Sequence, residues 1–183
     1  LKDEERDPFI VVSPDSGAVD RNKFYSSELK KPLAMLYKER DYSRVSSNSQ
    51  NSNIVDLKLL GDVKGKNVFL ADDMLGTGGT LLKAMKFLKD NQAKRVIAAV
   101  SLPFFTGDAI EVFDQKYKEG WFYRIIGTNA VYHTDLKDKE WYIEADVSTF
   151  FAEVIMRIHN NESISDLLDN RRLIQDITSP IKE

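Results

Sequence analysis

Asp72 and Asp73, followed closely by Gly76-Thr77-Gly78-Gly79-Thr80, are the residues in this chain best suited to chemistry. Glycines let a backbone approach an anion closely. Amides left unpaired at a helix start converge on that anion, and the helix dipole favours its charge. The two threonine hydroxyls add donors. A phosphate alone has no use for the aspartates, but paired carboxylates beside an anion site suit a ligand that also carries hydroxyls, or a bridging Mg2+. The plainer reading is a glycine-rich turn with two solvated acids. Two acids, two threonines and their flanks together weigh against it.

The flanks are what such a site needs. Val68 to Ala71 is continuously apolar, the pattern of a strand covered on both faces in a parallel sheet, and it delivers the two acids at its end. From Leu81 the apolar spacing changes to Leu81, Ala84, Met85 and Leu88, one face of a helix that Asn91 stops. Upstream, Phe9 to Val12 predicts a strand. A turn at Ser13-Pro14-Asp15-Ser16-Gly17 follows it, then a helix from about Ala18 to Lys31, before Pro32. On spacing alone Asp15 is a helix cap. Leu33 to Tyr37 predicts a strand that ends at Lys38 and Arg40. Two cations one residue apart on an extended segment point the same way, and at a strand's carboxyl end they face the ligand crevice of an open α/β sheet. A charged loop edge is the plainer reading of that pair.

Further along, the run Ser46 to Asn53 has no apolar anchor and predicts a mobile loop, as a lid or an excursion, continuing from Arg40. Ile54 to Leu60 predicts an edge-like strand, and Val96 to Val100 another buried one. A helix is expected from about Asp108 to Lys118, with strands over Trp121 to Gly127 and Trp141 to Glu144. A last helix from about Ser148 carries Phe151, Val154, Ile155 and Ile158 on one face. His133 falls in a turn and His159 at a helix end. Neither has an acid or serine in triad-like spacing, so both are read as structural. Trp121-Phe122-Tyr123 is read as core or subunit contact rather than a platform for bases.

The sequence has 183 residues, a length that suits one large domain. Its net charge of −3, with both signs interspersed, provides no basic field for nucleic acid or lipid. There is no cysteine, which rules out a disulfide framework and a thiolate metal site. No apolar run reaches membrane-spanning length and no signal peptide is visible. The expectation is a cytoplasmic protein with no nucleic-acid and no membrane partner. Residues 1–6 open in the style of a linker, without an initiating Met, as the downstream part of a longer chain would.

The nonapeptide Asp72 to Thr80 resembles the phosphoribosyl pyrophosphate (PRPP) loop of type I phosphoribosyltransferases and PRPP synthetases. The resemblance implies that Asp72 and Asp73 hold the ribose hydroxyls and that Gly76, Thr77, Gly78, Gly79 and Thr80 cradle the 5-phosphate of ribose 5-phosphate. Gly76 stands where that family usually has an aspartate. Ser13-Pro14-Asp15-Ser16-Gly17-Ala18-Val19 is similar to the segment that opens the second half of PRPP synthetases. There the acid matching Asp15 helps hold Mg2+, and the arginine matching Arg21 lies on the nucleotide side. Ala18, Asp20 and Asn22 depart from that pattern. Lys38 and Arg40 match the family's Lys-x-Arg pair, which begins a catalytic loop that closes on the triphosphate of ATP. Ala152 to Ser165 resembles the family's closing helix and cap. The histidine of the family's Thr-His-Gly segment is replaced within Pro103-Phe104-Phe105.

The resemblance covers residues 7–168 as one domain and leaves 169–183 as an uninterpreted tail. It implies an α/β fold with a mainly parallel central sheet and helices on both faces, phosphoribosyltransferase-like. The implied function is that of a ribose-phosphate pyrophosphokinase in its C-terminal half, with ATP and ribose 5-phosphate as partners, Mg2+ as cofactor and a homo-oligomeric state. Lys38 and Arg40 would be catalytic, and the chain alone would bind the sugar phosphate without making PRPP. Two alternatives stay open: a phosphoribosyltransferase that consumes PRPP, and a non-catalytic, synthetase-like regulatory subunit.

Overall fold

A computed structural model describes residues 8–40 and 55–178. The expected mobile run to Asn53 lies outside the described residues, as do the side chains of Lys38 and Arg40. In chain order the strands are β1 (Phe9–Ser13), β2 (Leu33–Arg40), β3 (Val55–Leu60), β4 (Asn67–Leu75), β5 (Arg95–Pro103), β6 (Arg124–Thr128) and β7 (Tyr142–Ala145). The helices are α1 (Val19–Glu28), α2 (Gly79–Asp90), α3 (Ala109–Lys118), α4 (Ser148–His159), α5 (Ser165–Leu168) and α6 (Arg171–Thr178).

The strands form one sheet in the order β3-β2-β1-β4-β5-β6-β7. Every neighbouring pair is parallel except β2 and β3. From β1 the chain winds to one side through β2 and then returns to the other side at β4. The strand order therefore reverses between β1 and β4, the place where open α/β sheets leave a ligand crevice at their carboxyl ends.

Alternation along β4 assigns the two faces. Val68 and Leu70 belong to the main core with Leu81, Met85 and Leu88 of α2 and Phe113 of α3. Phe69 points the other way, where Tyr25 of α1 meets it edge-on at 5.3 Å. Helices thus cover both faces, as the continuously apolar strands require. Around Phe113 the core is aromatic, with the rings of Phe105, Phe122 and Trp141 at 5.3, 5.6 and 5.7 Å from it in edge-on and tilted contacts. Asp114 ties this cluster together. Its carboxylate accepts from Lys139 Nζ and, at 2.6 Å, from Trp141 Nε1.

Several boundaries move. The helix expected to run to Lys31 ends at Glu28, because Lys30 turns to a φ of +51°. The strand expected to stop at the acids runs on to Leu75, since β5 continues to pair with it as far as Pro103. The first strand of the Trp121 region begins only at Arg124. Phe122 is core, and Tyr123 lies exposed between the guanidiniums of Arg95 and Arg124. Beyond residue 168 the chain forms α6, whose Arg171 lies 3.9 Å from Glu28 of α1.

Candidate functional site

Three segments end on the same edge of the sheet because β1, β2 and β4 are parallel. They are the Ser13–Gly17 turn, the Lys38–Arg40 end of β2, and the acids of β4. Lys38 and Arg40 lie within β2, opposite Leu57 and Val55 of β3.

The β4–α2 loop has the form of an anion cradle. Gly78 sits at a φ of +74°, and a Cβ there would lie 2.2 Å from Phe113 Cε2. Only glycine permits both the left-handed backbone and the close approach to the core. Helix α2 starts at the next residue with no side chain capping it among the described residues, so its first-turn amides stay available at the positive end of the dipole. Thr77, Gly79 and Thr80 are exposed there, while Leu75 and Gly78 are buried beneath them. Gly76 is not constrained in this way: a Cβ there would meet only Thr106 Oγ1, at 3.7 Å. The fold has room for the aspartate that the resemblance expects.

The acids form an asymmetric pair. Asp72 is partly buried and Asp73 is exposed. Burial pushes the Asp72 carboxyl above its ordinary value, whereas the hydrogen bond with Asp72 pulls Asp73 below its own. Both face one guanidinium. Arg21 reaches Asp72 through Nη1 and Asp73 through Nη2, each at 3.3 Å. The residue that the resemblance sets on the nucleotide side thus rests on the two acids that the same resemblance assigns to the ribose hydroxyls. Such a pair favours a cation or a multiple hydrogen-bond donor, and two adjacent sugar hydroxyls are such a donor.

Asp15 accepts the Ala18 N–H at 3.0 Å, a turn bond just ahead of α1; among the described residues no side chain caps the first turn of that helix, so the capping role that spacing predicts is not the one Asp15 plays. Among the described residues no group of three or more His, Cys, Asp or Glu side chains is placed to hold a metal.

Asn22 was not singled out as a site residue, yet it braces the acids from behind. Pairing of β1 with β4 ends at Val11 and Phe69, which leaves the Ala71 backbone without a strand on that side. The Asn22 amide fills the gap. Its Nδ2 donates to Ala71 O at 2.9 Å, and its Oδ1 accepts Ala71 N–H at 2.9 Å. Nδ2 also donates to Ala18 O at 2.8 Å, and Asn22 is fully buried. A polar residue on the inner face of an otherwise apolar helix pattern was the available signal.

The strand order, its reversal at β1/β4 and the helices on both faces define a doubly wound α/β domain. The chain belongs to the phosphoribosyl transferase domain family, whose model matches residues 1–141. It is 41% identical over 159 residues to ribose-phosphate pyrophosphokinase 2 of Saccharomyces cerevisiae, covering 86% of this chain and 45% of that protein. It is 35% identical over 175 residues to the ribose-phosphate pyrophosphokinase of Chlorobaculum tepidum, covering 94% of this chain and 50% of the relative. Among solved structures it is similar to phosphoribosylpyrophosphate synthetase from Mycobacterium smegmatis. That match has 29% identity and a TM-score of 0.69, and it covers 85% of this chain and 46% of the other. The chain spans about half the length of the curated relatives it matches. No helix among the described residues is long and apolar enough to cross a membrane.

Proposed function

We propose that this chain forms the ribose 5-phosphate side of a ribose-phosphate pyrophosphokinase, which transfers a pyrophosphoryl group from ATP to the 1-hydroxyl of ribose 5-phosphate. One observation carries the reading: a paired-acid strand end leads directly into an uncapped helix start through a glycine that only this packing explains. Asp72 and Asp73 hold the ribose hydroxyls, displacing or sharing Arg21. The amides and hydroxyls from Gly76 to Thr80 hold the 5-phosphate. Lys38 and Arg40, at the same edge of the sheet, neutralise charge on the transferring phosphates. Chemistry of this kind asks the protein for alignment and charge neutralisation rather than covalent participation.

Mg2+ commonly takes one or two carboxylates and completes its octahedron with water and substrate phosphates. The single carboxylate of Asp15 fits that requirement, with one oxygen already given to Ala18. Mg2+ supplies charge neutralisation to the phosphates when bound. The same reading makes the protein a cytoplasmic, ATP-using homo-oligomer of nucleotide biosynthesis.

Calorimetry with ribose 5-phosphate tests the site, and saturable binding that Asp72→Asn weakens is the expected result. AMP formation, rather than pyrophosphate release from PRPP, separates a synthetase from a phosphoribosyltransferase. In a protein that carries both halves of the synthetase, Lys38→Ala is expected to lower turnover by about 10³–10⁵-fold, as charge-neutralising cations do in phosphoryl transfer, and to leave sugar-phosphate affinity nearly unchanged. Collapsed affinity with intact turnover would reverse the assignment.

A further inference from the structure

We infer that His133 is a positioning residue for the sugar-phosphate loop, acting through the Pro103–Thr106 strap between β5 and α3. The inference rests on the ribose 5-phosphate reading and specifies how the cradle is aimed. His133 Nε2 lies 2.6 Å from the Pro103 carbonyl oxygen. A carbonyl only accepts, so Nε2 carries the proton and donates. The imidazole also meets the Phe105 ring edge-on, with centroids 5.8 Å apart.

Phe105 holds a φ of +44° although it is not glycine, and it is 6% exposed. Such a backbone persists only where its surroundings impose it. The surroundings are Phe113 at 5.3 Å on the core side, Trp141 and Tyr142 beside it, and His133. So held, the strap donates two hydrogen bonds to the loop. Phe105 N–H reaches Leu75 O and Thr106 N–H reaches Gly76 O, each at 3.1 Å.

Those two bonds set the direction of the cradle. In a planar trans peptide the C=O and the following N–H point opposite ways. With the Leu75 and Gly76 carbonyls turned towards the strap, the N–H groups of Gly76 and Thr77 are aimed away from it. These are the first amides of the anion loop. Donors aimed before the ligand arrives cost less to order on binding, and preorganised sites gain affinity in that way.

His133→Phe keeps a ring against Phe105 and removes the donor, while His133→Gln keeps a donor near the Nε2 position. The expected results are ribose 5-phosphate binding about fivefold weaker in His133→Phe, the loss that one hydrogen bond brings, and within about twofold of the wild type in His133→Gln. Hydrogen exchange at the Phe105 and Thr106 amides should quicken in His133→Phe alone. A purely structural histidine would move melting temperature without this selection for a donor. If His133→Phe binds as tightly as the wild type, or those amides exchange at the wild-type rate, the assignment is overturned. Should His133→Phe not fold, His133→Met carries the same comparison. If the wild type itself does not bind ribose 5-phosphate, the functional reading falls, and the exchange rates alone decide whether His133 holds the strap.

Discussion

Helices α2 and α4 are both 12 residues long and both carry an apolar face, yet α2 buries five side chains and α4 buries none. Leu81, Leu82, Ala84, Met85 and Leu88 of α2 close over β4 and β5. Ile155 and Ile158 of α4 remain 67% and 60% exposed, and Phe151 and Met156 are exposed as well. Both helices follow a strand of the same sheet. The difference lies in what they cover: α2 lies over the centre of the sheet, and α4 follows its edge strand β7. Apolar periodicity therefore marks a face that wants a partner, and only the place in the fold decides whether this chain provides one. The half of the molecule that carries the glycine loop is completed from within, while the apolar face of α4 stays exposed among the described residues.

The contrast can be broken most severely at Gly78. Gly78→Val would put side-chain atoms into Phe113 at a left-handed backbone position, and it should cost about 3 kcal/mol or more. Chemical denaturation would register the loss, and phosphate binding should go with it. A variant as stable as the wild type would mean that the loop and α3 are not packed as described.

Asn22 tests the opposite face. Asn22→Val removes the amide and leaves the Ala71 N–H and C=O buried without partners, at a cost of about 2–4 kcal/mol. A smaller loss in denaturant would show that water reaches the gap behind the acids.

The effect at Asp114 is smaller and depends on pH. Burial pushes this carboxyl up, but hydrogen bonds from Lys139 and Trp141 outweigh burial and hold it below its ordinary value. A group whose folded pKa is lowered contributes stability above its unfolded value, and that contribution is lost as pH falls through the folded one. Asp114→Asn should therefore cost about 1–2 kcal/mol at neutral pH, and the gap to the wild type should close below about pH 4. A gap that persists in acid would assign the cost to packing instead.

The smallest effect is expected at α4. Ile155→Ser should change the stability of this chain by no more than about 0.5 kcal/mol, because the side chain is already in solvent. A larger loss by thermal melting would mean that the α4 face is covered in solution, and the contrast with α2 would then disappear.

Much of this molecule is readable from local pattern. The four apolar residues before Asp72, the glycines and threonines after it, and the period change at Leu81 mark strand, cradle and helix without any tertiary knowledge, because each depends on a backbone preference or a periodicity. Asp15 reads as a cap from its distance to the helix start, but its bond closes the turn at Ala18, one residue short of the helix. The resemblance carried by Asp72–Thr80 pointed to the family that the match over residues 1–141 establishes.

What depends on distant segments meeting was not readable. The identity of β1 and β4 as neighbours is decided by how the chain winds, and with it the placement of Asn22 behind the acids and of Arg21 upon them. His133 looked structural because nothing near it in sequence can make it otherwise. Its partner, Pro103, is 30 residues away and contributes a backbone carbonyl, an atom that every residue has and that no sequence pattern distinguishes. Residue types and local spacing determined that a strand, a glycine turn and a helix start would follow one another from Val68 to Leu88. The packing of the sheet, which sets where side chains from other segments arrive, decided which groups brace that strand end and turn.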